Sequence, residues 1–354
     1  MLAATLALFT ACPTALADGQ PRPSNGTPTL KVMTRNVYLG GDVFRVLGAP
    51  DLAEFERRTQ ALWDEVNETN FPFRSKLLAA EVERTRPDLI GLQEVALWRR
   101  GPAGVKDGAA TPSTQVEYDF LALLRRELRR RGLHYRVGAR QQEADLEAPI
   151  EAGFDVRLTI RDVILVRERR GLRITRRQSA NYEAEITVPT PAGPLTSKRG
   201  WTAVDGQLAG QRFRFVNTHL EAALDAPRVA QATELVAPGG PLGVRRPVIL
   251  LGDMNSDPEG RGGLAAGAYD LIEGGGFDDA WLQTSNAPGL TCCINSDLSD
   301  TTPTFDSRID LIFTNSPRLR PVRTITVGTR ARDRRRDLWP SDHGGVVTTL
   351  RLGR

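Results

Sequence analysis

Four apolar segments of this chain end in a cluster of polar residues, and a fifth begins just after one. Val32-Met33-Thr34-Arg35 runs into Asn36, and Leu89-Ile90-Gly91-Leu92 into Gln93-Glu94. Phe213-Arg214-Phe215-Val216 runs into Asn217-Thr218-His219, and Val248-Ile249-Leu250-Leu251-Gly252 into Asp253-Met254-Asn255. Ser341-Asp342-His343 stands before the last apolar run, Gly345 to Leu350. Short apolar runs bounded by polar and turn residues read as buried strands. Strand ends on one edge of a sheet converge in space, and ligands bind at such edges.

The rest of the chain reads as further strands with a few helices. Asp51 to Val66 is expected to be helical, with Asp51 and Glu54 as a capping box and Leu52, Phe55, Leu62 and Val66 on one face. Arg74 to Arg84 reads as a second helix closed by Pro87, and Tyr118 to Arg131 as a third stopped by Gly132. Asp162 to Arg167, Arg212 to Thr218 and Arg308 to Phe313 read as strands, and Ala184–Val188 with Leu195–Val204 as a hairpin. Strands with interspersed helices imply a layered α/β or α+β domain. The chain has 354 residues, 40% apolar and 25% charged, which excludes disorder, collagen and coiled coil as descriptions of the whole. No repeat or long linker divides it, so residues 30–354 read as one domain.

Residues 1–17 carry no charged side chain, Leu2 to Ala11 are apolar, and Ala15-Leu16-Ala17 precedes Asp18. This pattern reads as a signal peptide over 1–17, followed by a flexible segment over 18–29. The absence of Lys or Arg at its start departs from the usual signal, and Cys12 offers a lipoprotein attachment as an alternative. The apolar run is too short to span a bilayer, and no other stretch is long and apolar enough. The expectation is an exported protein, secreted or held in the cell envelope, and a monomer. Cleavage would leave Cys292 and Cys293, adjacent in sequence, for which an oxidising compartment favours a bridge to each other.

The end-of-strand clusters hold carboxylates, amides and two of the three histidines, with His134 outside them. Oxygen donors without thiols suit a hard cation such as Mg²⁺ or Mn²⁺. Histidines titrating near neutrality suit acid–base work. Together they are equipment for water attack on phosphorus. Singly, an Asp or Asn after a strand is usually a turn residue or cap. The net charge of +4 is compatible with a phosphate-bearing partner, although arginine runs such as Arg129–Arg131 and Arg334–Arg336 are commonly solvated faces.

Gln93-Glu94, Asn217-Thr218-His219-Leu220, Gly252-Asp253-Met254-Asn255, Arg308-Ile309-Asp310 and Ser341-Asp342-His343 occur in this order and at this spread. The ordered set resembles the endonuclease/exonuclease/phosphatase superfamily over roughly Lys31 to Leu352. The resemblance implies an α+β four-layer sandwich, two central mixed β-sheets flanked by helices, with the site in a cleft at one end. It also implies a phosphoric-ester hydrolase dependent on Mg²⁺, with Mn²⁺ or Ca²⁺ as alternatives. By that resemblance Glu94 is the principal metal ligand, Asn36 lies beside it and Asp342 joins the metal sphere. Asp253 and Asn255 orient water and phosphate, and His343 is held by Asp310. His219 is a second histidine, and Asn217 supports it or binds phosphate. His343 is the favoured general base and His219 the general acid, with Asp253 the rival base. Asp162, at the start of a strand, is a candidate to orient a histidine.

Two features depart from relatives. Abasic-site enzymes place a tyrosine where this chain has Arg199-Gly200-Trp201, and Thr291-Cys292-Cys293 is not general to the superfamily. Charge favours a phosphodiester substrate of the nucleic-acid type. A phospholipid headgroup or a small phosphoester is the alternative. The Thr187–Ser197 hairpin lacks the aromatic tip expected of a membrane wedge. An inactive binding member and a non-catalytic nucleic-acid binder both leave the complete His, Asp and Glu set unexplained.

Overall fold

The computed structural model describes residues 28–104 and 112–353; the segment read as a signal peptide, Cys12 and most of 18–29 lie outside the described residues. Two mixed sheets pack face to face. The first contains β1 (Thr29–Asn36), β2 (Leu89–Gln93), β3 (Leu97–Pro102), β4 (Gln115–Asp119), β5 (Tyr135–Pro149), β6 (Phe154–Arg167), β15 (Leu319–Val327) and β16 (Gly345–Leu352). Its order is β15-β16-β1-β2-β6-β3-β4, with β5 on the other edge of β6. The second contains β7 (Arg173–Asn181), β10 (Gly200–Leu208), β11 (Gln211–His219), β12 (Val248–Asp253), β13 (Asp278–Asp279) and β14 (Asp310–Thr314), in the order β13-β14-β12-β11-β10-β7. A separate ribbon pairs β8 (Ile186–Val188) with β9 (Leu195–Ser197).

Helices cover both outer faces. Met33, Ile90, Val163 and Leu165 pack against α1 (Leu52–Glu68), α2 (Phe71–Thr85) and α3 (Phe120–Arg130). Val216, Val248, Leu250 and Phe313 pack with residues of α4 (Asp225–Val236) and α5 (Gly267–Gly274). Between the sheets lie Val32, Leu89, Ile164, Phe213, Phe215, Ile249 and Leu251, all fully buried. Helices, sheet, sheet and helices make the expected four layers. Alternation along each central strand sends one set of side chains to the inter-sheet core and the other to the helices.

Several elements differ from the sequence reading. Asp51 caps α1 by accepting from the Glu54 amide at 2.8 Å, but the Glu54 carboxylate turns to Arg57 and Arg58, so half of the capping box forms. α2 starts at Phe71, where Asn70 caps and Pro72 occupies the first turn. Residues 115–119 pair with β3 as a strand before α3 begins. β6 spans 14 residues, so Asp162 sits inside a strand rather than opening one. Charged alternation hid β5 and β7: Arg173-Ile174-Thr175-Arg176-Arg177 offers no apolar run, yet it pairs along β10.

Register carries the strand ends to one edge. β1 and β2 are parallel, with Asn36 opposite Gln93. β11 and β12 are parallel, with His219 opposite Asp253, and antiparallel β14 sets Asp310 opposite Asp253. β16 runs back along β1, so the segment leading into it, including His343, returns to the same end.

Two buried arginines tie this end together. Arg35 donates to both carboxylate oxygens of Glu81 in α2, at 3.0 and 3.1 Å, and also to the His343 carbonyl. Arg74 donates to the carbonyls of Val37, Tyr38, Thr69 and Pro340. Glu81→Ala leaves the Arg35 charge buried without its carboxylate, and breaking such a pair costs about 3–5 kcal/mol. The expected result is a lower urea midpoint with an unchanged slope; an unaltered midpoint would contradict this role.

Candidate active site

The cleft at this end has a volume of about 230 Å³ and is lined by, among others, Tyr38, Glu94, His219, Asp253, Asn255, Asp342 and His343. The chain turns sharply where it enters the cleft. Tyr38, Glu94 and Asn255 hold left-handed backbone, with φ of 61°, 59° and 47°. Non-glycine residues hold that conformation only where their surroundings enforce it, and such positions cluster at functional sites.

Asn36 is the junction. Its amide nitrogen donates to Glu94 Oε1 and to Asp253 Oδ2, each at 3.0 Å, and its oxygen accepts from the Tyr38 amide at 2.9 Å. Asn36 therefore enters as a donor that positions two carboxylates, not as an oxygen ligand beside Glu94. The other Glu94 oxygen accepts from the Leu39 amide at 2.8 Å.

His343 Nδ1 lies 2.9 Å from Asp310 Oδ2 and 3.7 Å from Asp253 Oδ2. Burial opposes a charge on the imidazole, but Asp310, Asp253 and Asp342 outweigh it and hold its pKa well above the ordinary value. His219 Nε2 lies 3.5 Å from Asp253 Oδ2, while Arg199 reaches the ring at 3.0 Å. Burial, then Arg199 and His343, push the pKa of His219 well below its usual value. Asp253 is raised to about 7, chiefly by burial, with Asp310 and Glu94 adding and His343 opposing. Asp342 is raised to about 6, again chiefly by burial, with Glu94 adding. Asn255 fixes its loop by donating to the Leu220 carbonyl at 2.9 Å.

These residues fit a divalent cation. Asp253, Asp310 and His343 each offer one ligand atom within 4.8 Å of the others, and Asp310 Oδ1 is buried without a hydrogen-bond partner. Glu94 and Asp342 add carboxylates at the cleft wall, a set of oxygen donors that suits a hard cation. Cys292 and Cys293 form a disulfide to each other, with sulfurs 3.8 and 3.6 Å from His343 Nε2, so they present no thiolate.

Asn217 is the expected site residue that the structure keeps out of the cleft. It is fully buried between the sheets, accepting from Gln93 Nε2 at 2.5 Å and donating to the Leu92 carbonyl. Its side chain follows the inter-sheet face of β11 two residues deeper than His219, so it cross-links sheets instead of binding phosphate. Asp162 makes no hydrogen bond to a histidine among the described residues; burial pushes its pKa well up, with Arg199 opposing and Glu94 and Asp253 adding. The sequence reading missed Tyr38, whose buried hydroxyl has no partner, although it lies in the run-out after Asn36. It also missed the contact of Arg199 with His219, which only the pairing of β10 with β11 reveals.

The endonuclease/exonuclease/phosphatase family model matches residues 36–343, and the chain belongs to that family. Its members are phosphoric-ester hydrolases that depend on divalent metals. No curated protein sequence matches the chain. Among solved structures it is similar to a family protein from Leptotrichia buccalis, at 15% identity over 91% of this chain and 99% of that one, with a TM-score of 0.57. A family protein from Beutenbergia cavernae matches at 21% identity over 92% of this chain and 72% of that one, with a TM-score of 0.56. A mannosyl-6-phosphatase of Bacteroides thetaiotaomicron matches at 19% identity over 91% and 99%, with a TM-score of 0.53. At such identities the likeness concerns the fold.

Asn36→Ala removes the donor shared by Glu94 and Asp253. Loss of such a supporting group typically costs about 10- to 100-fold in metal affinity or activity. Steady-state kinetics of the folded variant across a metal titration should show that loss; full activity would contradict the junction.

Proposed function

We propose that this protein is a divalent-metal-dependent phosphodiesterase that uses water as nucleophile. The observation that carries the reading is the convergence on Asp253 of His219, His343 and the Asn36–Glu94 pair. Glu94 and Asp342 would hold the cation, within reach of Asp253. When bound, the cation supplies positive charge that stabilises the phosphoryl oxygens. Asn255 and the neutral His219 present donors to the phosphate. The charges support Asp253 as the base, ionising near neutrality and taking the proton from water. They support His343, kept protonated by Asp310, as the donor to the departing oxygen. The export pattern at the N-terminus supports work outside the cytoplasm.

Asp310→Asn separates this assignment from His343 as base. It removes the carboxylate that most raises the His343 pKa, so that pKa falls. With His343 as the proton donor, kcat/KM loses its alkaline limb at lower pH in the variant. With His343 as base, the alkaline limb stays in place and the acid limb alone moves, and that result would overturn the assignment.

None of the residues lining the cleft is Lys or Arg, which supports a compact phosphodiester over a polyanion. One feature favours a nucleic-acid reading. A groove of about 290 Å³ on the outer face of β1, β15 and β16 is lined by Lys31, Arg84, Arg323, Arg330 and Arg332 against the single carboxylate of Asp333. Relaxation of supercoiled plasmid with Mg²⁺, beside an EDTA control and His343→Ala, tests it. Nicking lost in both controls, and weakened by salt as phosphate contacts require, supports the nuclease. Absence of nicking by folded protein removes it and leaves small phosphodiesters.

A further inference from the structure

The catalytic cleft does not end at Glu94. A second cavity of about 150 Å³ shares Leu39, Val43, Phe44, Glu94 and Ala222 with it. Beyond that common wall the lining is mostly hydrocarbon, with Ser197 its one neutral polar side chain. Leu47 comes from the turn after β1, Leu146 and Ile160 from β5 and β6, and Ile186, Val188 and Leu195 from the β8–β9 ribbon. The charges at its inner end are paired, Arg199 Nε with Glu221 Oε2 at 3.3 Å. Arg199 also contacts His219, so the cavity reaches the catalytic histidine through one side chain. Phe44 stands 49% exposed where the two cavities meet.

We infer that this annex binds an apolar substituent carried by the substrate, a hydrocarbon group of about six carbons attached through the phosphoester. The inference rests on the phosphodiesterase reading and names its substrate class. Three observations carry it. A cavity of about 150 Å³ lined by aliphatic and aromatic side chains accommodates a benzene-sized group. The one ion pair present is already neutralised, so the annex offers no site for a second phosphate. The shared wall runs along Glu94 itself, so a group in the annex is within reach of a phosphate at the metal site. A polar sugar placed there would lose its water without gaining partners, which argues against a carbohydrate occupant.

The test has a binding arm and a turnover arm. In the first, methyl-, propyl-, hexyl- and decylphosphonate, none of them hydrolysable, are titrated calorimetrically into the protein with Ca²⁺, together with phenylphosphonate. Affinity is expected to rise about three- to fourfold per methylene up to about six carbons and then level. Phenylphosphonate binding as tightly as hexyl identifies a ring as an accepted occupant; phenyl binding no better than methyl identifies a chain. Equal affinity for all the phosphonates overturns the annex. Val188→Asp sets a carboxylate into its wall from the ribbon, which pairs only with itself, and should bring the hexyl-to-methyl affinity ratio to about one. Leu195→Trp fills the space and should move the levelling to shorter chains; a ratio unchanged in both folded variants would also overturn it. In the turnover arm, dimethyl and methyl hexyl phosphate are incubated with Mg²⁺ and followed by phosphorus NMR. Water adds to phosphorus, one ester bond breaks, and the alcohol leaves with a proton. No hydrolysis of either ester, with a chain-length slope intact in the binding arm, would refute the phosphodiesterase reading alone.

Discussion

The amide nitrogen of Asn36 donates to two carboxylates that belong to different sheets: Glu94, at the end of β2, and Asp253, at the end of β12. The geometry of the cleft depends on that junction. Asp253 is buried and Glu94 half-buried; two such carboxylates repel, and a shared donor lets them stay close without a counter-charge between them. Gln93 and Asn217 form a second link between the sheets one step deeper. Gly91 makes this approach feasible, because a side chain there would collide with Asn217 and Leu251.

A rigid frame surrounds this seam. Arg35 fastens β1 to α2 and to the backbone of His343, and Arg74 gathers the carbonyls of the loops on either side. Each arginine spends its donors on buried acceptors, which would otherwise remain unsatisfied at high cost. The frame leaves the site itself with an excess of negative charge. Asp253 and Asp342 are held above their ordinary pKa values, and His343 is held charged by its neighbours. A cation completes such a site electrostatically.

Much of the site could be read from the strand ends, because parallel pairing of β1 with β2 and of β11 with β12 leaves each run-out on one edge. Asn36, Glu94, His219, Asp253 and His343 follow from that rule, whereas Asp310, which opens antiparallel β14, was identified through the family resemblance. The rule does not say how deep along the strand a side chain sits, so it did not separate Asn217, committed to the inter-sheet seam, from His219 two residues nearer the edge. Nor does it reach residues brought in by pairing between distant segments. Arg199 meets His219 across β10 and β11, and nothing in its local sequence marks it. The same limit applied to the fold. Strands buried on both faces, such as β12, were visible as apolar runs, whereas β5 and β7 carry charged residues along their length and offer no such run. The apolar annex was invisible for a related reason: its walls come from a turn, the paired strands β5 and β6 and a small ribbon, each unremarkable alone.

The most direct test of the account is a crystal structure of the protein grown with Mn²⁺ and inorganic phosphate, with the metal located by anomalous scattering. The account predicts a peak ligated by carboxylate oxygens of Glu94 and Asp342, with phosphate between it and the pair His219 and His343. A peak held instead by Asp253, Asp310 and His343, or a phosphate bound away from Asp253, would contradict it.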